Sequence, residues 1–331
     1  IAIPPAYNLS REGKNICCFF VLMLKKGVVY CSTGSHCRVK SEGKFYDCRI
    51  KGKFRIQGIK STNPIAVGDK VLFTIQPDKG KGFGLINEIE PRQNYIVRKS
   101  VNLSKQIHII ASNIDQVFLM ITLKTPSTSP AFIDRFLVTA KAYEITAVLI
   151  FNKTDIYSSS EIKEMRSLKS TYEQIGYTCY EVVANDVNTL GAIKEKMIQK
   201  VSMFSGHSGV GKSTLVNTLS PDLDLKTGDV SLKHDQGQHT TTYAEMFDLD
   251  TGAKIIDTPG IKGFGVVNID RKELSRYFIE FSVLIEDCKF NNCMHKNEPN
   301  CAVKTAIENG EIAKSRYKSY LQLLEEPALY R

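Results

Sequence analysis

The chain has 331 residues, 42% of them hydrophobic, and 44 Lys and Arg against 35 Asp and Glu give a formal charge of +9. Length and apolar content exclude a disordered or fibrous chain and allow two or three globular domains with real cores. The cationic excess favours a polyanionic partner, because clustered Lys and Arg gain affinity by releasing the counterions condensed on phosphate.

In chain order, the first feature is the apolar run ICCFFVLML at 16–24. It is too short to cross a bilayer and no small-residue cleavage pattern follows it, so no membrane partner is expected. The first methionine is Met23, directly before the strand-like LKKGVVYCS. Residues 1–23 are therefore expected to be a tag remnant or an overextended start. Nine cysteines without a secretion signal read as reduced thiols or metal ligands of a cytoplasmic protein. Cys31, Cys37, Cys48 and Cys179 fall singly in strand-like stretches and read as buried small hydrophobes.

From about 26 to 98 come short β-rich runs, GVVYC, CRVKS, KFYDCRI, KVLFTI and GLINEIEP, as a small five-stranded OB-type barrel would require. VGDKV at 67–71 supplies a Gly-Asp turn before an alternating strand. Within this region Arg49, Lys51, Lys53, Arg55 and Lys60 follow one another with no acid between Arg49 and Lys60. That run reads either as a solvated strand face or as a groove for nucleic-acid backbone, with Phe54 as a stacking platform.

After residue 105 strands and helices alternate. NIDQVFLMI (113–121) and TAVLIF (146–151) read as buried parallel strands separated by the helical AFIDRFLVTAKAYE. SSEIKEMRSLKSTYEQIG leads to the strand TCYEVVA, and GAIKEKMIQK to VSMFSG. Such a βαβ series implies a doubly wound α/β sheet with ligand loops at the carboxyl ends of its strands. From about 271 a single helix over RKELSRYFIEFSVLIE is expected, then a Cys/His cluster and two more helical stretches.

GHSGVGKST at 206–214 fits GxxxxGK[ST] between a strand and a helix, the context a phosphate-binding loop needs. Gly206, His207, Ser208, Gly209, Val210 and Gly211 would wrap phosphates with backbone N–H groups. Lys212 would reach the β and γ phosphoryl oxygens, and Ser213, beside Thr214, would offer a hydroxyl to Mg²⁺. IIDTPG at 255–260 ends an apolar strand, placing Asp257 for Mg²⁺ and the Gly260 N–H for the γ-phosphate. FNKTD at 151–155 selects the base: an Asp155 carboxylate accepts from guanine N1–H and the 2-amino group, a donor pair adenine lacks. Asn152 and Lys153 would brace base and phosphate loop, with Thr154 between Lys153 and Asp155. One strand later the turn Val183-Ala184-Asn185 offers the Ala184 N–H to the base, with Val183 where GTPases often have serine. Together these motifs argue against an ATP-dependent kinase or ATPase.

GQHTTTY supplies Thr240, Thr241 and Thr242, one of which is expected to complete the Mg²⁺ shell, and Thr241 joins Lys212 among the expected catalytic residues. Ile261 follows DTPG where many GTPases place a water-orienting glutamine. His239 is the first candidate for that role and His207 the second. Both readings stay open: a GTPase accelerated by a large partner, or a nucleotide-gated RNA-binding module with negligible turnover.

CKFNNCMHKNEPNC gives Cys288, Cys293, His295 and Cys301, three thiolates and an imidazole suited to one closed, structural Zn²⁺ site that would support a small terminal module.

A barrel, then NKTD, GHSGVGKST, GQHTTT and DTPG, then Cys-Cys-His-Cys, resembles the RsgA (YjeQ) family of circularly permuted GTPases across nearly the whole chain after residue 23. CAVKTAIENGEIAKSRYKSYLQL is similar in kind. The resemblance implies an OB-fold barrel over 24–100, a circularly permuted P-loop GTPase domain over 101–268 and a helical zinc-binding domain over 269–331. It also implies GTP hydrolysis to GDP by a protein acting in late maturation of the 30S ribosomal subunit, in contact with 16S rRNA. A monomer is expected, with switch II feeding through IKGFGVVNID into the zinc domain.

Overall fold

The computed structural model describes residues 24–34, 36–50, 64–76, 82–99, 107–223, 244–257 and 269–325. Expectations for residues 1–23, for Lys51, Lys53, Phe54, Arg55 and Lys60, and for the 261–268 linker lie outside them.

Five strands form the N-terminal barrel: β1 (Lys25–Ser32), β2 (His36–Ser41), β3 (Lys44–Ile50), β4 (Lys70–Gln76) and β5 (Phe83–Ile89). β1 pairs antiparallel with both β2 and β4, β3 runs parallel to β5, and β4 pairs antiparallel with β5, so the ring closes. Period-2 alternation turns Val29, Cys37, Val39, Cys48, Val71, Phe73 and Ile86 into one core. Closure leaves no unpaired edge within the ring. β6 (Tyr95–Lys99) and β7 (Ile107–Ser112) form a separate antiparallel ribbon, which straddles the expected boundary at residue 100.

The VGDKV turn joins barrel to ribbon. At Gly68 φ is +92°, and a Cβ there would run into the Ser112 carbonyl oxygen, so only glycine fits. Asp69, wholly buried, accepts from Arg92 Nε and Nη2, each at 2.6 Å, from Ser112 Oγ at 2.6 Å and from the Ala66 N–H at 2.9 Å. Such a charge is tolerable inside a protein only because every lone pair is met.

Next come β8 (Gln116–Ile121), α1 (Pro130–Ala142), β9 (Thr146–Phe151), α2 (Ser159–Gln174), β10 (Thr178–Glu181), α3 (Gly191–Met197), β11 (Val201–Ser205), α4 (Lys212–Leu219), β12 (Glu245–Asp248) and β13 (Lys254–Asp257). Spatially the strands run β10-β9-β8-β11-β13-β12, all parallel except β12. β8 is buried on both faces. Val117, Leu119 and Ile121 meet Phe136 and Leu137 of α1 and Met165 of α2. Phe118 and Met120 meet Ile193 of α3 and Leu215 of α4. This is the doubly wound sheet that the βαβ rhythm implies. Ser129 caps α1 ahead of a proline, and Ser158 with Glu161 forms a reciprocal capping box on α2.

β12 also pairs with β1 of the barrel, Glu245 opposite Cys31, so barrel and G domain share one eleven-stranded sheet. Asp248 fastens the seam, accepting from Tyr30 Oη at 2.6 Å and from Lys40 Nζ.

The last module departs from expectation. RKELSRYFIEFSVLIE is not one helix: a 3-10 turn at Leu274–Tyr277 precedes α5 (Ile279–Leu284), and a second follows at Ile285–Asp287. The break is at Phe278, whose backbone is extended (φ −91°, ψ 110°) and whose buried ring stacks on Phe281 at 5.0 Å and lies 4.6 Å under the Arg316 guanidinium. α6 (Ala302–Glu308) and α7 (Lys314–Glu325) complete it. Among the described residues no helix is long and apolar enough to cross a membrane.

Replacing Asp69 by alanine leaves the Arg92 guanidinium buried without its partner. The urea midpoint should fall by the equivalent of about 3–5 kcal/mol, whereas Glu42→Ala, which breaks the exposed Lys25 pair, should cost under about 1 kcal/mol.

Candidate nucleotide site and metal cluster

β9, β8, β11 and β13 are parallel neighbours, so the loops leaving their carboxyl ends gather at one edge. β9 delivers NKTD, β11 the glycine loop and β13 Asp257. Only β8 separates the first two. Chain order is irrelevant to that meeting, which is why NKTD can precede the phosphate loop.

Asn152 is the junction. It is 1% exposed; its Nδ2 donates to the Val210 carbonyl at 2.8 Å, and its Oδ1 accepts from the Ala184 N–H at 2.9 Å. Its backbone N–H donates to Ile121 of β8, and its own carbonyl accepts from Tyr157 Oη at 3.0 Å. One side chain thus ties the base loop, the turn after β10 and the phosphate loop together. Gly211 belongs to the same fit: its φ is +105°, and a Cβ there would strike Asn152 Nδ2. The Ala184 N–H, expected at the base, is therefore engaged with Asn152 in this structure.

Lys153 sits in the left-handed region at φ +62°, which aims its Nζ at the carbonyls of Thr125 (2.5 Å) and Gly209 (2.9 Å). Thr154 Oγ1 donates to Val182 O at 3.3 Å, and the short 3-10 turn Thr154–Ile156 leaves Asp155 exposed. A carboxylate held on a braced loop and open to solvent is what base-edge recognition needs.

In the glycine loop, Lys212 begins α4 and its Nζ donates to the carbonyls of Gly206 (2.7 Å) and His207 (2.9 Å). Val210 is buried, Ser208 and Gly209 are exposed, and Ser213 and Thr214 occupy the first turn of α4. The His207 ring lies 4.1 Å from that of Phe132 on α1. Asp257 closes β13 beside β11. A hydroxyl at a helix start and a carboxylate from the adjacent strand are hard oxygen donors, a set that fits Mg²⁺. His239, Thr241 and its neighbours Thr240 and Thr242, and Gly260 lie outside the described residues.

In the last module the ligand atoms of Cys288, Cys293, His295 and Cys301 lie within 4.8 Å of one another, all four residues buried. Cys288 Sγ is 3.7 Å and Cys301 Sγ 3.3 Å from His295 Nδ1, and the two sulfurs are 4.0 Å apart. A tetrahedral zinc ion needs ligand edges of roughly 3.5–3.8 Å, so the cluster could hold one, with Nδ1 as the imidazole donor. Burial pushes the Cys293 thiol up to about 12, a cost that a bound cation would offset by taking the thiolate as ligand. Glu298 shapes the knuckle by accepting from the N–H groups of Met294 (2.9 Å) and Lys296 (2.8 Å). Tyr317 and Tyr320 donate to the carbonyls of His295 (2.7 Å) and Met294 (2.8 Å).

Sequence reasoning missed the seam between this module and the G domain. Arg316 of α7, 1% exposed, donates from Nη1 to Asp134 of α1 at 2.6 Å, and from Nε and Nη2 to Glu280 of α5 at 2.7 and 3.0 Å. Tyr172 Oη adds a bond to Asp134 at 2.9 Å. A signal existed: Arg316 occupies the stripe otherwise filled by Ser319, Tyr320, Leu323 and Leu324, where a charged residue must have a buried partner.

The fold and the converging loops define a P-loop GTPase domain with circularly permuted threading, preceded by an OB-type barrel and followed by a Cys₃His module. The family model described as RsgA GTPase matches residues 89–267, and that of the RsgA N-terminal domain matches 26–83. The chain belongs to the RsgA family of GTPases. A protein of Christiangramia forsetii named small ribosomal subunit biogenesis GTPase RsgA is 62% identical over 301 residues, 91% of this chain and 96% of that one. The crystal structure of YjeQ from Thermotoga maritima superposes with TM-score 0.75 at 34% identity, over 92% of this chain and 98% of that one. YloQ, described as a circularly permuted GTPase, superposes with TM-score 0.71 at 28% identity, over 95% and 97% of the two chains.

Asn152→Ala strips two bonds from buried partners, each loss worth about 1–3 kcal/mol. GDP affinity, read by titration with a fluorescent analogue, should fall at least about tenfold, while the thermal midpoint of the Cys₃His module stays within a degree or two.

Proposed function

We propose that the protein binds GTP at the edge where β9, β11 and β13 converge, hydrolyses it to GDP and phosphate, and acts in maturation of the small ribosomal subunit. The observation that carries this reading is the Asn152 junction, which sets a guanine-selecting carboxylate, Asp155, against a phosphate loop at fixed spacing.

Each residue then has a task. Asp155 accepts from guanine N1–H and the 2-amino group. Lys212, which bonds two carbonyls of its own loop, exchanges them for phosphoryl oxygens, a stronger charge-assisted pairing. Ser213 and Asp257 hold Mg²⁺, which when bound neutralises charge on the β and γ phosphoryl groups. Ile261 cannot hydrogen-bond the attacking water, so the orienting group is His239, with Thr241 beside it, or comes from a partner. His207 is the weaker candidate, since its ring packs on Phe132. The Ala184 N–H supports the base through Asn152.

The partner is the 30S subunit, met through 16S rRNA by a monomeric, cytoplasmic protein. On the barrel, Phe45 is 47% exposed and lies 4.6 Å from the Arg38 guanidinium and 5.4 Å from Lys40 Nζ. A π-face beside two cations suits an unstacked base with its phosphates. The Cys₃His cluster holds one structural Zn²⁺, its four protein ligands leaving no position for substrate.

Three measurements test this. Purified small subunits should raise multiple-turnover phosphate release, and His239→Ala should lose that stimulation; a rate indifferent to subunits would favour the nucleotide-gated binding module instead. Asp155→Asn should shift preference from guanine to xanthine nucleotide, and retained guanine preference would remove Asp155 from the base site. Stripping the metal with a chelator, or Cys301→Ser, should release about one zinc per chain and lower the thermal midpoint with little change in GDP affinity.

A further inference from the structure

Four residues on four strands of two domains line up in one row across the sheet. Arg38 pairs with Cys31, Cys31 with Glu245, and Glu245 with Asp257. Directly opposed residues on antiparallel strands project from the same face with Cβ atoms about 4.5–5.5 Å apart. Glu245 therefore stands between the barrel and the carboxylate assigned to Mg²⁺.

Arg38 reaches over Cys31, its Nη1 3.8 Å from Glu245 Oε1. The same guanidinium lies over the exposed Phe45 ring at 4.6 Å. Arg38 is 46% exposed at its side chain and Glu245 only 19%. Burial raises the Cys31 thiol above its usual range, Glu245 raising it further and Arg38 lowering it. Both charges thus act at the seam itself. One cation is shared between a solvent-facing aromatic platform and a carboxylate beside the nucleotide site.

We infer that Glu245 is a positioning residue for the Mg²⁺ site, acting through Asp257, and that Arg38 of the barrel sets its strength. This rests on the reading of Asp257 as a Mg²⁺ residue and of the Phe45 face as RNA-binding. Paired at 3.8 Å with a half-exposed Arg38, Glu245 exerts only part of its negative potential at Asp257. When an RNA phosphate draws the guanidinium away, the full charge of Glu245 lies next to Asp257 and Mg²⁺-dependent nucleotide binding tightens. RNA on the barrel is thereby reported to the nucleotide site through one ion pair, with no domain rotation.

The test is the ratio of fluorescent-GDP affinity in Mg²⁺ to that in EDTA, at low ionic strength so that screening does not mask it. Glu245→Gln should lower the ratio by about 3–10-fold and Arg38→Gln should raise it by about 2–3-fold. Arg38→Gln should have no effect in the Glu245→Gln background. A short single-stranded RNA should raise the ratio in the wild-type chain and in neither single variant. A general loss of fold lowers both affinities and leaves the ratio, so only a local electrostatic role moves it. An unchanged ratio in Glu245→Gln, or equal effects of Arg38→Gln in both backgrounds, overturns the inference. Asp257→Asn, measured alongside, separates the two levels: if it keeps full Mg²⁺ dependence, the assignment of Asp257 has failed instead.

Discussion

A buried carboxamide is the constraint on which the nucleotide site depends. Asn152 has an acceptor and a donor at opposite corners of one planar group, and it spends them on Ala184 of one loop and Val210 of another. An aspartate has no donor for the Val210 carbonyl, and a glutamine is one methylene too long for the gap. The fit also dictates Gly211, because no Cβ can stand where the amide passes. Once these loops are tied across β8, the connectivity behind them is free to vary. The permuted chain runs base loop first and phosphate loop second, yet reaches the meeting of loops that an unpermuted order would give.

The two seams around the G domain follow a different rule. Each is held by a buried guanidinium–carboxylate pair, Asp69 with Arg92 where the barrel meets the β6–β7 ribbon and Arg316 with Asp134 and Glu280 on the metal-cluster side. Such groups add less stability than an apolar core of the same volume. What they supply is geometry, since the planar guanidinium donates to carboxylates in its own plane. Between them, β12 carries the G-domain sheet into the barrel, and β13 beside it ends in Asp257. The candidate nucleotide site is therefore two strands from the barrel.

What could be read in the sequence is what is local. The glycine loop, NKTD and the four metal-type ligands are short strings whose chemistry depends on spacing along the chain, and the βαβ rhythm follows from burial of both sheet faces. The VGDK turn was also legible, because glycine before aspartate ahead of an alternating strand has few other uses. What stayed hidden is made by residues far apart: Arg316 and Asp134 are 182 positions apart, and Arg38 meets Glu245 only through β12 pairing with β1. The single helix expected over 271–286 fails for the same reason. Leu274, Phe278 and Phe281 have helical spacing, but packing Phe278 beneath Arg316 and against Tyr320 is met by an extended residue. Ala184 lies on the turn after β10, and that its N–H goes to Asn152 depends on a contact no local pattern encodes.

The most direct test of the Asn152 junction is amide hydrogen exchange on the nucleotide-free protein, comparing the wild-type chain with Asn152→Ala. If one carboxamide holds three loops, its loss should speed exchange together in 151–155, 182–186 and 206–211 while β8 stays protected. Acceleration confined to 151–155 would show that the base loop and the phosphate loop are held independently, and would contradict the account.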